Sequence, residues 1–157
     1  MARQVMTRSK ADNKYLHKDF HCSFNCAIEY LNDKYGAQSV REYLQRFTRA
    51  FYAPLIKHLK RRGLIALKEH FERIYEIEEG SADIKLDEHD LTIQVNVCPA
   101  VEHIRKSGMA VSPLFYETTN TVNETLCEGT QFTSELLNYN HQTGSSIQRF
   151  YRRDCPV

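Results

Sequence analysis

Cys98 has the sequence surroundings of a reactive thiol. It closes the alternating apolar stretch "LTIQVNV" and is followed by Pro99. Proline favours the first position of a helix, so Cys98 is expected at the N-cap. Main-chain amides and the positive end of the helix dipole converge at such a position. Both favour the thiolate, which is the nucleophilic form. Glu102 and His103 follow about one turn later, and an imidazole there can exchange protons with a substrate. On these grounds Cys98 is expected to alkylate below about pH 8, ahead of the other four cysteines. The same residues admit a plainer role. A small cysteine can simply close a strand and cap a helix, where serine would do as well or better.

His17 and His21 form a second group. They are four apart and fall inside the helical stripe of Phe24, Ile28, Leu31 and Tyr35. Imidazoles facing a core need partners, because an unpaired buried polar group costs about 1–3 kcal/mol. Structural hydrogen bonds, a ligand pocket or a metal would each supply them. No third metal ligand is identifiable, so no metal and no cofactor are assigned. Cys22 and Cys26 lie on the opposite side of that wheel, with Asp19, Glu29 and Asp33. Four apart on a helix, they cannot bridge without breaking it.

A third group is a polar stripe. Tyr116, Asn120, Asn123 and Cys127 are spaced by four, three and four residues beside an apolar side of Phe115, Val122 and Leu126. Such a stripe lines a cleft or forms a helix shoulder. Glu117 falls nearly opposite the apolar side, and periodicity makes it solvated.

These residues need elements to position them. Residues 14–35 read as an amphipathic helix ending at Gly36. A second helix opens on a capping box, Ser39 and Glu42, and runs to Gly63. Tyr43, Leu44, Phe47, Phe51, Leu55 and Leu59 form its expected buried stripe, and Pro54 should kink or divide it. A third helix runs on to Gly80. The period then changes. Two short strands flank the turn "DEHD", and Leu91, Ile93, Val95 and Val97 alternate with polar residues, as in a strand buried on one face. A short helix from Pro99 to about Ser107 ends at Gly108. Another is expected from Ser112-Pro113 to Gly129. The last segment is a hairpin, "TQFTSELLNYN" and "SIQRFYRR", around "HQTGS". The order predicts an α+β fold, with helices packed on one face of a four-stranded antiparallel sheet made of two hairpins. No linker divides residues 1–157, so one domain is expected, with residues 1–13 as a flexible tail.

Composition narrows the function classes. At 41% apolar and 26% charged residues, the chain is of ordinary globular type. A net charge of +1 gives no reason to expect nucleic acid or a membrane surface as partner. The basic cluster "KHLKRRG" is explained by the favourable placement of cations at a helix C-terminus. No signal peptide is read at the start, and five cysteines are an odd number, so reduced thiols and a cytoplasmic location are expected. A homodimer would suit so small a pocket-bearing domain, although no residue specifies one.

The second half of the chain resembles the L-2-amino-thiazoline-4-carboxylic acid hydrolase family. The likeness rests on "CPAVEHIRKSG" after an apolar strand, "SPLFYET", "NETLCEGTQF" and "TGSSIQRFYRR", about residues 93–153. The closing strand–glycine–strand pattern is also similar to that of 4-vinyl reductase type ligand-binding domains. The first resemblance implies a cysteine-centred hydrolase of a cyclic amidine-like thiazoline carboxylate. It implies catalytic roles for Cys98 and Glu117, and it matches Gly144, Arg149 and Phe150 in the ending. With the residue types above, the expected site is Cys98, His103 and Glu117 for catalysis. His17, His21, Tyr116, Asn120, Asn123 and Arg149 are expected to bind the substrate or ligand. Two departures stand out. The family tends to have cysteine where Ser146 stands, and cysteine where Tyr116 precedes the glutamate. The alternative function is therefore a non-catalytic small-ligand-binding or sensor domain of the same fold.

Overall fold

A computed structural model describes residues 18–153. The tail expected over residues 1–13, and His17, lie outside the described residues. Four helices come first: α1 (Asp19–Tyr35), α2 (Ala37–Phe51), α3 (Ala53–Arg62) and α4 (Leu64–Ile77). A hairpin follows, β1 (Ser81–Leu86) and β2 (Asp90–Val97). Then come α5 (Pro99–Lys106), α6 (Glu117–Cys127) and a second hairpin, β3 (Phe132–Tyr139) and β4 (Ser146–Arg152). The strands form one antiparallel sheet in the order β1-β2-β4-β3. The predicted α+β architecture of two hairpins in one sheet is the one observed.

The alternation in β2 and β4 decides which face is inside. Leu91, Ile93 and Val95 pair with Phe150, Gln148 and Ser146, and all six are buried. The helices cover this face: α4 packs on β1 and β2, and α6 packs on β3. A second tier lies outside them, with α2 against α6, and α1 against α2 and α5. Thr92, Gln94 and Arg149 face the other way. Val97 departs from the expected buried series and is 43% exposed. The pairing shifts register between Ser81 and Ala82, so the end of β2 leaves the regular pleat.

Three local expectations need correction. The Ser39–Glu42 capping box does not form. Gly36, at φ 86°, ends α1 and starts α2 at once, so the helix opens before Ser39. The Ser39 hydroxyl instead donates to the carbonyls of Gly36 and Leu31. Pro54 divides the long helix, one of its two expected effects: the break falls at Tyr52 and the proline sits in the first turn of α3. That break leaves Phe51 66% exposed, and Tyr43 is also on the surface, although both were expected in the buried stripe. Finally, α6 starts at Glu117. Ser112 caps only a preceding turn, in which Phe115 N donates to Ser112 O at 2.9 Å.

That turn changes what Glu117 does. It is 1% exposed, not solvated, because α2 lies over it. Arg41 Nε donates to Oε1 at 2.8 Å, and Thr121 Oγ1 donates to Oε2 at 2.6 Å. Burial alone would raise the carboxyl's pKa. The Thr121 and Arg41 bonds, the Arg41 charge and the nearby Tyr116 hydroxyl outweigh it and hold the group below the usual carboxylate range. A depressed pKa stabilises the fold above the ordinary carboxylate range, and that contribution is lost as pH falls through the depressed value. Glu117→Gln should therefore cost about 1–2 kcal/mol at neutral pH, a modest figure because Arg41 is half in water. Denaturant titrations of both proteins should show the gap closing on acidification. A gap that does not change with pH would mean that the ion pair contributes nothing.

Candidate active site around Cys98

Cys98 is the N-cap of α5, with extended backbone at φ −77° and ψ 118°, as its position before Pro99 predicts. Two glycines make room for the Cys98-Pro99 segment. A Cβ on Gly144 would lie 2.5 Å from Cys98 Cβ and 2.7 Å from Val101 Cγ2. A Cβ on Gly80 would lie 2.7 Å from Pro99 Cγ and 2.8 Å from Tyr75 Cδ1. The turn between β3 and β4 thus seats on the start of α5, and Cys98 N donates to Thr143 O at 3.2 Å.

The thiol is held in its neutral form. Burial pushes its pKa up, and the nearby Glu78 charge adds to that. The amides of Val101 and Ala100 act the other way. They lie near enough to the sulfur to favour a thiolate, yet neither completes a cap hydrogen bond. Burial wins. That direction is opposite to the one expected of a helix-start cysteine. Helix-end amides stabilise a thiolate only as far as the sulfur's lost hydration allows. Cys26 is exposed, whereas burial pushes Cys127 up to about 12.

Cys98 packs, partly buried, against the hydrophobic core. Burial raises the pKa of the hydroxyls of Tyr75 of α4 and Tyr139 of β3, both near Cys98, where a thiolate would raise them further. Gln148 is close to Tyr75 and connects it to the inner face of β4. Asn123 Nδ2 donates to Gln148 Oε1 at 2.7 Å, and Gln148 Nε2 donates to Ser146 Oγ at 3.1 Å. The departure at Ser146 therefore puts a hydroxyl, not a second thiol, into this network.

The histidines meet elsewhere. His21 and His103 line one small cleft outside α5, together with Lys18, Glu78, Pro99 and Glu102. His21 Nε2 is 3.6 Å from Glu78 Oε2. His103 Nε2 is buried, has no hydrogen bond, and lies 3.5 Å from Asp19 Oδ1. Glu78 is the link, since its charge acts on both this cleft and Cys98. Among the described residues no group of three or more His, Cys, Asp or Glu is arranged to hold a metal ion.

The other expected site residues divide as follows. Asn123 bonds Gln148, which in turn is close to Tyr75. Tyr116 packs its ring 6.0 Å from Tyr139 and touches the site only through that neighbour. Asn120 bonds Glu124 at 3.3 Å on the outer side of α6. Both oxygens of Glu117 are occupied by Arg41 and Thr121, which fits a positioning role rather than a catalytic one. Arg149 is outside the site altogether. It alternates with the inward Gln148 and Phe150, so it faces out, where its guanidinium pairs with Asp90 at 2.7 Å. Sequence reasoning missed Tyr75, Tyr139, Glu78 and Gln148. One signal was present for Gln148: in "SIQRFYR" every inward position but Phe150 is polar.

No helix among the described residues is long and apolar enough to cross a membrane. A comparison with models of known protein families finds no match, and neither does one with curated proteins.

Proposed function

We propose that the chain is a cytoplasmic hydrolase of a small cyclic amidine or thiazoline, with Cys98 as its nucleophile. The observation that supports this best is the placement of the Cys98 sulfur. It sits at a helix start, near the Ala100 and Val101 amides, with the Tyr75 and Tyr139 hydroxyls in its neighbourhood. A neutral thiol suits this substrate class. The S–H adds across the ring C=N bond: sulfur bonds to the amidine carbon, and the proton goes to the basic ring nitrogen. The adduct collapses by breaking the ring bond from that carbon to its other heteroatom, which departs with the proton. Water then adds to the same carbon, the bond to Cys98 breaks, and the thiol is restored. One water is consumed. The two amides would hold negative charge on sulfur as it leaves. The substrate class rests on the resemblance of the second half of the chain. Among the described residues no Lys or Arg is bonded to Gln148, Asn123 or Ser146, and Arg149 pairs with Asp90 on the outer face.

A second reading is favoured by Ser146 and by the raised thiol pKa. In it, the same interior binds a small molecule without turning it over. Incubation with 2-amino-thiazolines and unsubstituted cyclic amidines, followed by product analysis, separates the two. Ring opening supports the hydrolase. Saturable binding with no ring opening in any compound supports the binding domain.

A further inference from the structure

An open groove of about 480 Å³ runs between α3 and α4. That is the size of a small-molecule pocket, about 300–1,000 Å³. Phe51, Tyr52 and Leu55, around the break between α2 and α3, give it an apolar lining. This lining is fixed from behind by packing. The exposed Phe51 ring stacks on Phe47 at 5.2 Å and meets Tyr52 edge-on at 5.0 Å. Tyr52 meets His70 edge-on at 5.7 Å, and His70 meets Phe71 at 5.5 Å.

The polar groups of the groove divide by whether they are already bonded. Arg62 donates to both oxygens of Glu69, at 2.7 and 2.8 Å, so these two charges answer each other. His58 acts on the same carboxylate. Arg73, His70 and Tyr52 differ. None of these three side chains has a hydrogen bond or salt bridge among the described residues, and all three line the groove. Glu69 and Glu72, the acids on the turn before Arg73, are taken by Arg62 and Lys68. The Arg73 charge does reach His70: burial first, and then that charge, favour the neutral imidazole. A neutral imidazole still carries one N–H donor.

We propose that this groove is a second binding site, for a small organic acid with an aromatic body: the carboxylate on the Arg73 guanidinium, the body on Phe51, Tyr52 and Leu55. A guanidinium offers paired N–H donors that match the two oxygens of a carboxylate. The His70 N–H and the Tyr52 hydroxyl add one donor each. Covering the exposed Phe51 ring removes apolar surface from water. Cys98 does not line the groove, so the site stands or falls apart from the hydrolase reading.

The probes are phenylacetate, its neutral amide phenylacetamide, and acetate. NMR signals of the His70 imidazole and the Tyr52 ring are followed during titration of the full chain. Phenylacetate should give saturable shifts and bind about three- to tenfold more tightly than phenylacetamide, the scale of one charge-assisted hydrogen bond at an exposed arginine. Acetate, which lacks the body, should bind more weakly than phenylacetate. Arg73→Gln should remove the preference for the acid and leave phenylacetamide binding as it was. Phe51→Ala should weaken both aromatic probes. Both residues are exposed, so both variants should fold. Shifts that do not saturate, equal binding of acid and amide, an acid preference that survives Arg73→Gln, or full binding to Phe51→Ala would each overturn the proposal.

Discussion

Cys98→Ser should fold with nearly unchanged stability and lose turnover by about 10³-fold or more, the scale seen when a covalent nucleophile is removed. Stability is expected to hold because serine is a better N-cap than cysteine and slightly smaller. The backbone bond from residue 98 to Thr143 O does not depend on the side chain. Turnover is expected to fall because a serine hydroxyl is far less acidic and a weaker nucleophile toward an amidine carbon. Among the described residues no imidazole or carboxylate is bonded to the residue 98 side chain to activate it. The two effects separate the chemical role from the capping role. A serine protein of full activity would leave Cys98 as a cap and nothing more.

Gly144→Ala should damage both stability and site, by about 2–5 kcal/mol. Two costs combine. At φ 68° the backbone is in the left-handed region, which costs an L side chain about 1–2 kcal/mol. The new methyl would also press on Cys98 and Val101 at distances no real Cβ tolerates, and overpacking typically costs about 1–3 kcal/mol more. Neither contact is with a flexible side-chain tip. The hairpin turn or the start of α5 must move, and the sulfur moves with it. Chemical denaturation should therefore show a lower midpoint, and turnover of the folded fraction should fall as well. By contrast Gly36→Ala meets no atom within 4 Å and carries only the backbone cost. If both substitutions cost the same, the close packing of the turn on Cys98 is not what holds the site.

Periodicity was enough to read the main lines of the fold. Strict alternation in "LTIQVNV" placed Leu91, Ile93 and Val95 inside, and Pro99 placed Cys98 at a helix start. The errors arose where a tertiary contact overrides a local pattern. Glu117 lies opposite the apolar side of its own helix, and only the presence of α2 buries it. Ser39 and Glu42 have capping-box spacing, but Gly36 starts the helix earlier. Arg149 was carried over by resemblance, while the pleat of β4 turns it outward. The Cys98 site was half legible for a similar reason. Its helix-end geometry is local and can be read from "VCPA". Its low dielectric depends on Gly144, Tyr75 and Tyr139, which arrive from three distant segments and reverse the expected direction of the thiol's pKa.

The central claim is a covalent bond between Cys98 and the amidine carbon, and intact-protein mass spectrometry after acid quench tests it most directly. The protein is mixed with a 2-amino-thiazoline or cyclic amidine and quenched within the first turnover. Peptide mapping then locates any added mass. The account predicts an increase equal to one whole substrate, because ring opening at the carbon retains every atom. The mass should map to Cys98 and be absent in Cys98→Ser. Ring-opened product that accumulates with no adduct at any quench time, or an adduct on Cys22 or Cys26 instead, would contradict it.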